Sequence, residues 1–534
     1  MSSAASPSYK IILAIAILTW AGFLLVRATG PDDLLSRDQV KVGSYSLDII
    51  ENDHWLWQQD HAGQFASKPP MTQWLAALFT RATGQFHRLT LTFPSWFGCL
   101  ITLIIICAWT RREFGSGAAL WVPLLLLANP MGIRAVLLAR SDPLFQCTIV
   151  LLAFAVWRCW IDGARAWPIV LAGTAALLTK GPLGLIIGLM GLLAVFTLKK
   201  EERPPIPAKT IAIAILLSLV VPALWLWSAE QSSGGVAVER LLQQELLGHA
   251  VGARMDPLQQ SWTHHLLPAG WFLSRLAPTG LIALIAIFRM MRRGSAREQR
   301  QRTAERFLLA WLLGGLLLLC IGTHHRFIHL LVILPPAAML AAREVSGWLS
   351  TPTRGPMWAA VALSGALPLT AVYLDMIDIS SPRIVRSREL KEFALSVQEE
   401  VGPGARLAFF PTSAAVQVQL GRHQPALADQ DIGGTLQSDE AIYIIVEDED
   451  RFRQLAVNQG ITVFEVVLRR PFSGAHLALF ASEGAVGARR IPGSRHPDYV
   501  TLTLLSLLTG AIFVSSVRFL VASIAPIAGQ NSKL

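Results

Sequence analysis

The chain has 534 residues, of which 53% are hydrophobic and only 15% are charged, and its formal net charge is +10. A soluble protein usually carries about a quarter charged residues, so this composition excludes an ordinary soluble protein. The positive charge indicates arginine-rich cytoplasmic loops of a membrane protein. A nucleic-acid partner is not predicted, because no basic face accompanies a recognisable nucleic-acid-binding module.

Apolar runs of the length that crosses a bilayer recur along the chain. They predict an α-helical polytopic membrane protein with about twelve spans. The predicted spans lie near 10–27, 88–110, 118–138, 142–158, 166–179, 181–198, 208–228, 269–290, 306–322, 326–343, 356–374 and 499–523. The first run is interpreted as a retained span, since Asp32 and Asp33 follow it without a small-residue cleavage site.

Basic clusters indicate the orientation of these spans. Arg111-Arg112, Lys199-Lys200 and the arginines of 292–306 all fall on one side, which the positive-inside rule assigns to the cytoplasm. The loops 28–87 and 229–268 then lie on the outer face of the cell inner (plasma) membrane. We expect residues 1–379 to form a transmembrane domain that carries the activity.

The opening loop 28–87 is longer and richer in chemistry than a connector between spans usually is. Asp38 lies just past the first span, where a carboxylate can take a proton from an incoming hydroxyl or amine, or can simply cap a helix. Asp53 and Asp60 are weaker candidates for that work. Lys68, before Pro69-Pro70, is either a solvated lysine or a fixed ammonium that holds a phosphate.

Basic residues also occur on the predicted outer face, where they are disfavoured. The six are Lys68, Arg134, Arg140, Lys180, Arg254 and Arg326, each at a span end or beside Pro or Gly. Any one of them can be explained by a side chain that extends to the membrane interface. Together they indicate a shared anionic ligand, for which phosphate is the natural candidate.

Residues 380–496 have the pattern of a small extracytoplasmic α/β domain. An amphipathic helix is predicted at Ser387–Val401, and a second helix at Glu447–Gln459. Strands are predicted at Ala405–Phe410, Ala441–Val446, Ile461–Leu468 and His476–Phe480. Residues 497–534 then form a C-terminal transmembrane helix and tail.

Metal and disulfide chemistry are not predicted. The outer-face histidines lack the spacing of a metal site, so we expect no metal and no cofactor, with a divalent metal as the less favoured alternative. These histidines are His54, His61, His264, His265, His324 and His325. The five cysteines lie in or beside apolar runs, which disfavours disulfides.

Several motifs, in this order, resemble the membrane glycosyltransferases of the GT-C fold that use polyprenyl-phosphate sugars. That superfamily includes the bacterial aminoarabinose transferases of lipid A and the protein O-mannosyltransferases. The motifs are Arg37-Asp38-Gln39, Glu51-Asn52-Asp53-His54-Trp55, Lys68-Pro69-Pro70, Ala139-Arg140-Ser141-Asp142-Pro143, Leu178-Thr179-Lys180-Gly181-Pro182 and Arg326…Leu334-Pro335-Pro336.

The resemblance implies a transfer from an undecaprenyl-phosphate-like donor to a glycolipid, polysaccharide or protein, with inversion at the sugar. Asp38 matches the first acid of the family's Asp-Glu pair and is the expected base. Lys68 matches the lysine that contacts the donor phosphate. Gln39 replaces the second acid, and Ser67 replaces a glutamate linked to metal in the aminoarabinose enzymes, which weakens both a metal and aminoarabinose transfer.

The remaining site predictions follow from the same resemblance. Negative charge grows on the leaving phosphate, and Arg326, Arg140 and Lys180 are expected to stabilise it with Lys68. Trp55, Trp57 and Asp53, in the crowded loop, are the expected acceptor- or sugar-binding residues.

A membrane transporter or flippase for a phosphorylated lipid is the alternative function. It would place ionisable residues in mid-membrane and repeat interrupted helices in two halves. Here the unusual charges cluster in loops on one side and no halves repeat, so the enzyme is favoured.

Overall fold

The computed structural model describes residues 37–486, apart from residues 85, 87, 128, 130, 133, 134, 136, 137, 242–261, 294–297, 323, 324, 349–381, 403, 413, 463, 464, 473 and 474. The predicted spans near 10–27, 356–374 and 499–523 therefore lie outside the described residues, as do Arg134, Arg254 and His324.

Helices make up most of the chain up to residue 348. They are α1 (Arg37–Asn52), α2 (Met71–Thr83), α3 (Arg88–Phe114), α4 (Ser116–Ala119), α5 (Val122–Leu127), α6 (Ser141–Asp162), α7 (Trp167–Lys180), α8 (Leu183–Leu189), α9 (Ala208–Ser218), α10 (Val220–Ser232), α11 (Leu267–Ser274), α12 (Thr279–Arg293), α13 (Gln299–Ile321) and α14 (Leu334–Trp348). Turns of 3-10 helix occur at Met190–Phe196, Lys200–Glu202, Trp262–Leu266 and Phe327–Val332.

Four helices in the described part of the chain are long and apolar enough to cross a membrane: α3, α6, the continuous pair α9–α10 and α13. Residues Thr263–Ser274 and Thr279–Arg292 would add a fifth span that is bent by 96°. These helices match the predicted spans near 88–110, 142–158, 208–228, 306–322 and 269–290.

The other described spans are shorter or broken. Residues 166–179 and 181–198 form the short apolar helices Trp167–Lys180 and Leu183–Phe196, because Gly181 and Pro182 interrupt the chain between them. The stretches 118–138 and 326–343 likewise divide into short segments. Hydropathy detects apolar composition, but it does not report where a helix breaks.

The helices share one large apolar core in which aromatic side chains contact one another. The ring of Trp109 lies 6.0 Å from that of Trp157 and 5.7 Å from that of Phe307, and all three side chains are buried. Close approach of α3 to α6 depends on Gly98, since a Cβ atom there would lie 2.9 Å from the Leu144 Cα atom. This contact sets the position of the first turn of α6.

Ion pairs join three helices at the far end of the bundle from the α6 N-terminus. Arg300 of α13 donates to both carboxylate oxygens of the buried Glu113, at 2.7 and 2.8 Å, and to Asp162 at 3.0 Å. Arg112 also donates to Asp162, at 2.8 Å. A buried carboxylate with two charged donors is fully paired, so this end of the bundle is held in one arrangement.

Residues 382–486 form an α/β unit. Its elements are α15 (Pro382–Val401), β1 (Arg406–Phe410), α16 (Ala414–Leu420), α17 (Ile432–Leu436), β2 (Ile442–Val446), α18 (Glu449–Asn458), β3 (Glu465–Phe472) and β4 (Ala475–Ala481). The sheet order is β1-β2-β4-β3, with β1 parallel to β2 and the other pairs antiparallel. The predicted helices and strands are confirmed within a few residues, while α16 and α17 were not predicted.

The α/β unit packs directly on α1 and α2. Val40 and Leu47 of α1 lie in the same buried cluster as Phe393 of α15 and Val416 of α16. A Cβ atom at Gly43 would lie 2.6 Å from Val418 Cγ1, so α1 and α16 touch at this glycine. The unit thus continues the core of the first helix.

Candidate active site

Asp38 lies in the first turn of α1 and binds two arginines that are distant in sequence. Arg140 Nη2 donates to Asp38 Oδ2 at 2.6 Å, and Arg326 Nη1 donates to the same oxygen at 2.8 Å. The Asp38 side chain is 24% exposed, and Arg326 is more exposed than Arg140. A carboxylate reachable by solvent therefore meets two of the predicted phosphate-binding side chains.

Asp142 joins a third cation to this group. It lies in the first turn of α6 and is buried, and its Oδ2 atom accepts from Arg140 Nε at 3.0 Å. Its other oxygen, Oδ1, accepts from the Lys180 ammonium. Asp142 thereby links Arg140 to Lys180, as a buried carboxylate with a charged donor on each oxygen.

The sequence analysis did not assign a role to Asp142, although it quoted the motif that contains it. The available signal was an acid two residues after Arg140 in a first helical turn, where a carboxylate is favoured by the helix dipole. That signal also fits a purely local role. Only the position of Lys180 shows that Asp142 bridges two cations.

The backbone before α6 is held by neighbouring polar side chains. Ser95 Oγ donates to the Arg140 carbonyl at 2.7 Å and accepts from the Arg140 N–H at 3.1 Å. Gln39 Oε1 accepts from the Ala139 N–H at 3.1 Å, and Gln39 is buried. Gln39, which replaces the expected second acid, therefore orients the segment that carries Arg140.

Lys180 is placed by the end of a helix. It is the last residue of α7, and Gly181 follows with φ of 76°, a left-handed conformation that glycine adopts without strain. A cation at a helix C-terminus is favoured by the helix dipole. The Lys180 Nζ atom also lies 5.5 Å from the centre of the Phe145 ring. The break that interrupts the predicted span thus delivers Lys180 to the site.

Lys68 faces the same charges from the loop before α2. Its side chain remains open to solvent, but protein atoms surround it closely. Desolvation is the main cause that lowers the pKa of Lys68, and repulsion from Lys180 and Arg140 adds to it, while Asp142 and Asp38 raise it. An ammonium in this position gains from any anion that enters.

Charge at this group is unbalanced. Four cations (Lys68, Arg140, Lys180 and Arg326) face two carboxylates (Asp38 and Asp142), which leaves two positive charges when all six are ionised. The predicted base and all four predicted phosphate-binding residues therefore lie together, although they come from four separate parts of the chain.

Asp53 and Trp55 lie away from this group. The helix α1 begins beside Asp38 and ends at Asn52, so Asp53 is about 22 Å from Asp38 along its axis. Arg81 Nη2 donates to Asp53 at 2.5 Å, and this hydrogen bond is the main cause that lowers the pKa of Asp53. The Arg81 guanidinium also lies 5.1 Å from the centre of the Trp55 ring. The structure does not bring these two residues to Asp38.

Trp57 is buried between the opening loop and α10. Its ring stacks on Trp225, with centroids 6.0 Å apart and an interplanar angle of 4°, and meets Phe65 edge-on at 5.8 Å. Trp225 Nε1 donates to the Leu56 carbonyl at 2.8 Å. These contacts hold the loop against α10, and a role of Trp57 in sugar binding stays a prediction.

Three histidines lie near Arg326 in the structure. The rings of His264 and His325 are 4.7 Å apart, and the ring of His265 is 5.6 Å from that of His325. The Nδ1 atom of His265 donates to the Cys320 carbonyl at 2.8 Å. Within the described residues, no group of three or more His, Cys, Asp or Glu side chains has the arrangement of a metal site.

Comparisons with known proteins place this geometry in context. Residues 67–227 match a family model described as dolichyl-phosphate-mannose-protein mannosyltransferase. This segment includes Lys68, Arg140 and Lys180, but neither Asp38 nor Arg326. A search among curated proteins returned no matching sequence.

Solved structures with a similar fold include ArnT from Cupriavidus metallidurans bound to undecaprenyl phosphate. That comparison has a TM-score of 0.67 and 14% identity, and covers 89% of this chain and 98% of ArnT. The same protein in the apo state gives a TM-score of 0.67 and 14% identity, with coverage of 91% and 100%. The predicted resemblance in fold, to the GT-C membrane glycosyltransferases, is confirmed.

Proposed function

We propose that this protein is a membrane glycosyltransferase that moves a sugar from a polyprenyl phosphate to an acceptor outside the cytoplasm. The observation that carries the proposal is the convergence of Asp38 with Lys68, Arg140, Lys180 and Arg326 at one end of the helix bundle. The family match over 67–227 and the ArnT fold support the same reaction class.

The charge of the group fits the donor and its leaving group. A polyprenyl-phosphate sugar is a phosphodiester with one negative charge, and the polyprenyl phosphate released by transfer carries a second. The site has an excess of two positive charges, so its attraction for the phosphate grows as the sugar–phosphate bond breaks. Stabilisation that is stronger in the transition state than in the bound donor accelerates the reaction.

Asp38 would act as the base. The acceptor oxygen or nitrogen attacks the anomeric carbon, the bond from that carbon to the phosphate oxygen breaks, and the acceptor proton passes to Asp38. The phosphate leaves as an anion and needs no general acid. Attack from the side opposite the phosphate gives inversion. The incoming phosphate competes for Arg140 and Arg326, which pair with Asp38 in the ligand-free structure.

An extracytoplasmic site follows from the distribution of basic residues. The α6 helix starts at the site and ends at Asp162, about 32 Å away, beside Arg112 and Arg300. Arginines concentrate on the cytoplasmic side of membrane proteins. The proposal therefore places the site, and the α/β unit that packs on α1, on the outer face of the inner (plasma) membrane.

The acceptor class stays open among a glycolipid such as lipid A, a polysaccharide and a protein. Asp53, Trp55 and Trp57 would serve an extended acceptor rather than the donor sugar, because α1 separates the first two from Asp38. No cofactor is required, since a phosphate leaving group is stabilised here by side chains. No observation favours the transporter, whose ionisable residues would lie in mid-membrane.

Mass spectrometry of envelope glycolipids, surface polymers and exported proteins tests the proposal. Cells with the native protein would be compared with cells that carry Asp38→Asn at equal abundance. We expect one species to lose a fixed sugar mass in the variant. Asp450→Asn, an exposed acid of α18, is the matched control and should leave every species unchanged. Normal transfer by Asp38→Asn would overturn the assignment of the base.

A further inference from the structure

We propose that the α/β unit positions the donor-binding loop through His423, which acts as a positioning residue for Lys68. The inference rests on the proposed function and assigns a role to the unit within it. His423 follows α16 and is buried, and its hydrogen bonds reach α1 and the opening loop rather than the sheet.

One peptide of the opening loop is held from both sides. The N–H of Gln59 donates to Asp48 Oδ2 at 2.6 Å, and the carbonyl of Gln59 accepts from His423 Nε2 at 2.9 Å. Asp48 belongs to α1 and is buried, so its carboxylate is a fixed acceptor. The loop is thus clamped between the first helix and the α/β unit.

The orientation of the His423 ring is determined by its partners. A carbonyl can only accept, so Nε2 carries the proton and Nδ1 accepts from Asn52 Nδ2 at 3.2 Å. The same Asn52 nitrogen donates to Asp48 Oδ1 at 2.8 Å. The backbone N–H of His423 donates to Glu51 Oε2 at 2.6 Å. The ring and the backbone of His423 are both tied to the last turn of α1.

Backbone pairing carries this restraint from Gln59 toward Lys68. Gln59 forms a bridge with Phe65, and on either side of it the Ala66 N–H donates to Gln58 at 2.8 Å and the Asp60 N–H to Gln64 at 2.9 Å. Lys68 follows two residues after this short hairpin. Pro69 and Pro70 then restrict the backbone up to the start of α2.

Rigid packing gives the clamp a firm base. Val416 and Val418, on the helix that precedes His423, lie in the cluster shared with Val40 and Leu47 of α1. The α/β unit therefore cannot move relative to α1 without opening an apolar core. We infer that this contact holds Lys68 against the Asp142–Arg140 pair before any donor arrives, which reduces the ordering cost of binding.

Binding of undecaprenyl phosphate to the purified full-length protein tests the inference. His423→Ala should bind it about tenfold more weakly, since one buried hydrogen bond to the loop is lost. Transfer assays should show a higher KM for the donor with a smaller change in kcat. His423→Gln retains an N–H donor and should recover part of the affinity. His476→Ala, an exposed histidine of β4, is the matched control.

Hydrogen exchange of the amides of 58–66 provides a readout that does not depend on catalysis. We expect faster exchange in His423→Ala than in the native protein or in His476→Ala. Asn52→Ala, which removes the partner of Nδ1 at an exposed helix end, should shift exchange and affinity in the same direction by less, and it covers the case in which His423→Ala fails to fold.

The outcomes separate the two proposals. Native-like affinity and exchange in His423→Ala, or in Asn52→Ala should His423→Ala not fold, would overturn the positioning role while leaving the glycosyltransferase intact. Failure of the native protein to bind undecaprenyl phosphate would overturn the proposed donor instead. The exchange measurement would then show whether the clamp exists.

Discussion

Replacing Lys68 by methionine removes one of the four cations while keeping a side chain of similar length. The excess charge of the site falls from two to one. A hydrogen bond to a charged group contributes about 1.5–3 kcal/mol. Three other cations remain for the phosphate, so we expect a loss of about 2 kcal/mol, which corresponds to about thirtyfold weaker donor binding.

The assay is the KM for a polyprenyl-phosphate sugar, with direct binding of undecaprenyl phosphate as a second measurement. The Lys68→Met variant should raise the donor KM and leave the acceptor KM unchanged. Lys391→Met, at an exposed position of α15, is the matched control for loss of a lysine. An unchanged donor KM in Lys68→Met would refute the contact between Lys68 and phosphate.

The pH dependence provides a second test of the same residue. The pKa of Lys68 in the ligand-free protein lies below its ordinary value of 10.5, mainly because of desolvation. The ammonium binds phosphate and the neutral amine does not. Donor affinity should therefore be full below this lowered pKa and should fall as pH rises through it.

Arginine at this position separates charge from titration. A guanidinium stays protonated across the accessible pH range, so Lys68→Arg should bind the donor without the alkaline loss of kcat/KM seen in the native protein. If the alkaline limb is identical in Lys68→Arg, then another group titrates and the explanation is wrong.

Three further predictions concern the support of the site. Asp142→Asn should reduce transfer and lower stability by about 3 kcal/mol, because Arg140 and Lys180 lose their shared buried carboxylate; thermal unfolding and kcat measure these effects. Gln39→Leu should reduce kcat about tenfold by leaving the Ala139 N–H unpaired, whereas Gln39→Glu should be milder since it still accepts. Chelation of divalent metals should leave the transfer rate unchanged.

Each of these has a clear contrary result. Native stability in Asp142→Asn would mean that the two cations find other partners. Equal kcat in Gln39→Leu and the native protein would remove the positioning role of that amide. Activity lost on chelation and restored by zinc would require a metal site that includes residues outside those described.

Much of the helical framework was predictable because apolar length and composition are local properties. A bilayer needs a continuous apolar segment, so α3, α6 and α13 are visible as runs in the sequence. The strands β1 and β2 were equally visible as short β-branched and aromatic runs. What periodicity and hydropathy missed were interruptions, such as the one at Gly181 that ends α7 beside the site.

The membership of the site was predicted from charge on a disfavoured face, but its connections were not. Asp38 is 102 residues from Arg140 and 288 from Arg326, and no local rule pairs them. Asp142 was overlooked because its second partner, Lys180, arrives from another helix. Conversely, Asp53 and Trp55 are near Asp38 in sequence, yet the length of α1 separates them in space.

The amino-acid sequence alone thus determined the membrane class, most described helices, the α/β pattern and the set of charged residues that require an explanation. The tertiary structure decided which of those charges meet, and it docked the α/β unit on α1 so that His423 reaches the opening loop. The physical reason is that burial patterns are encoded in neighbouring residues, whereas an ion pair depends on where helix packing brings two distant chain segments together.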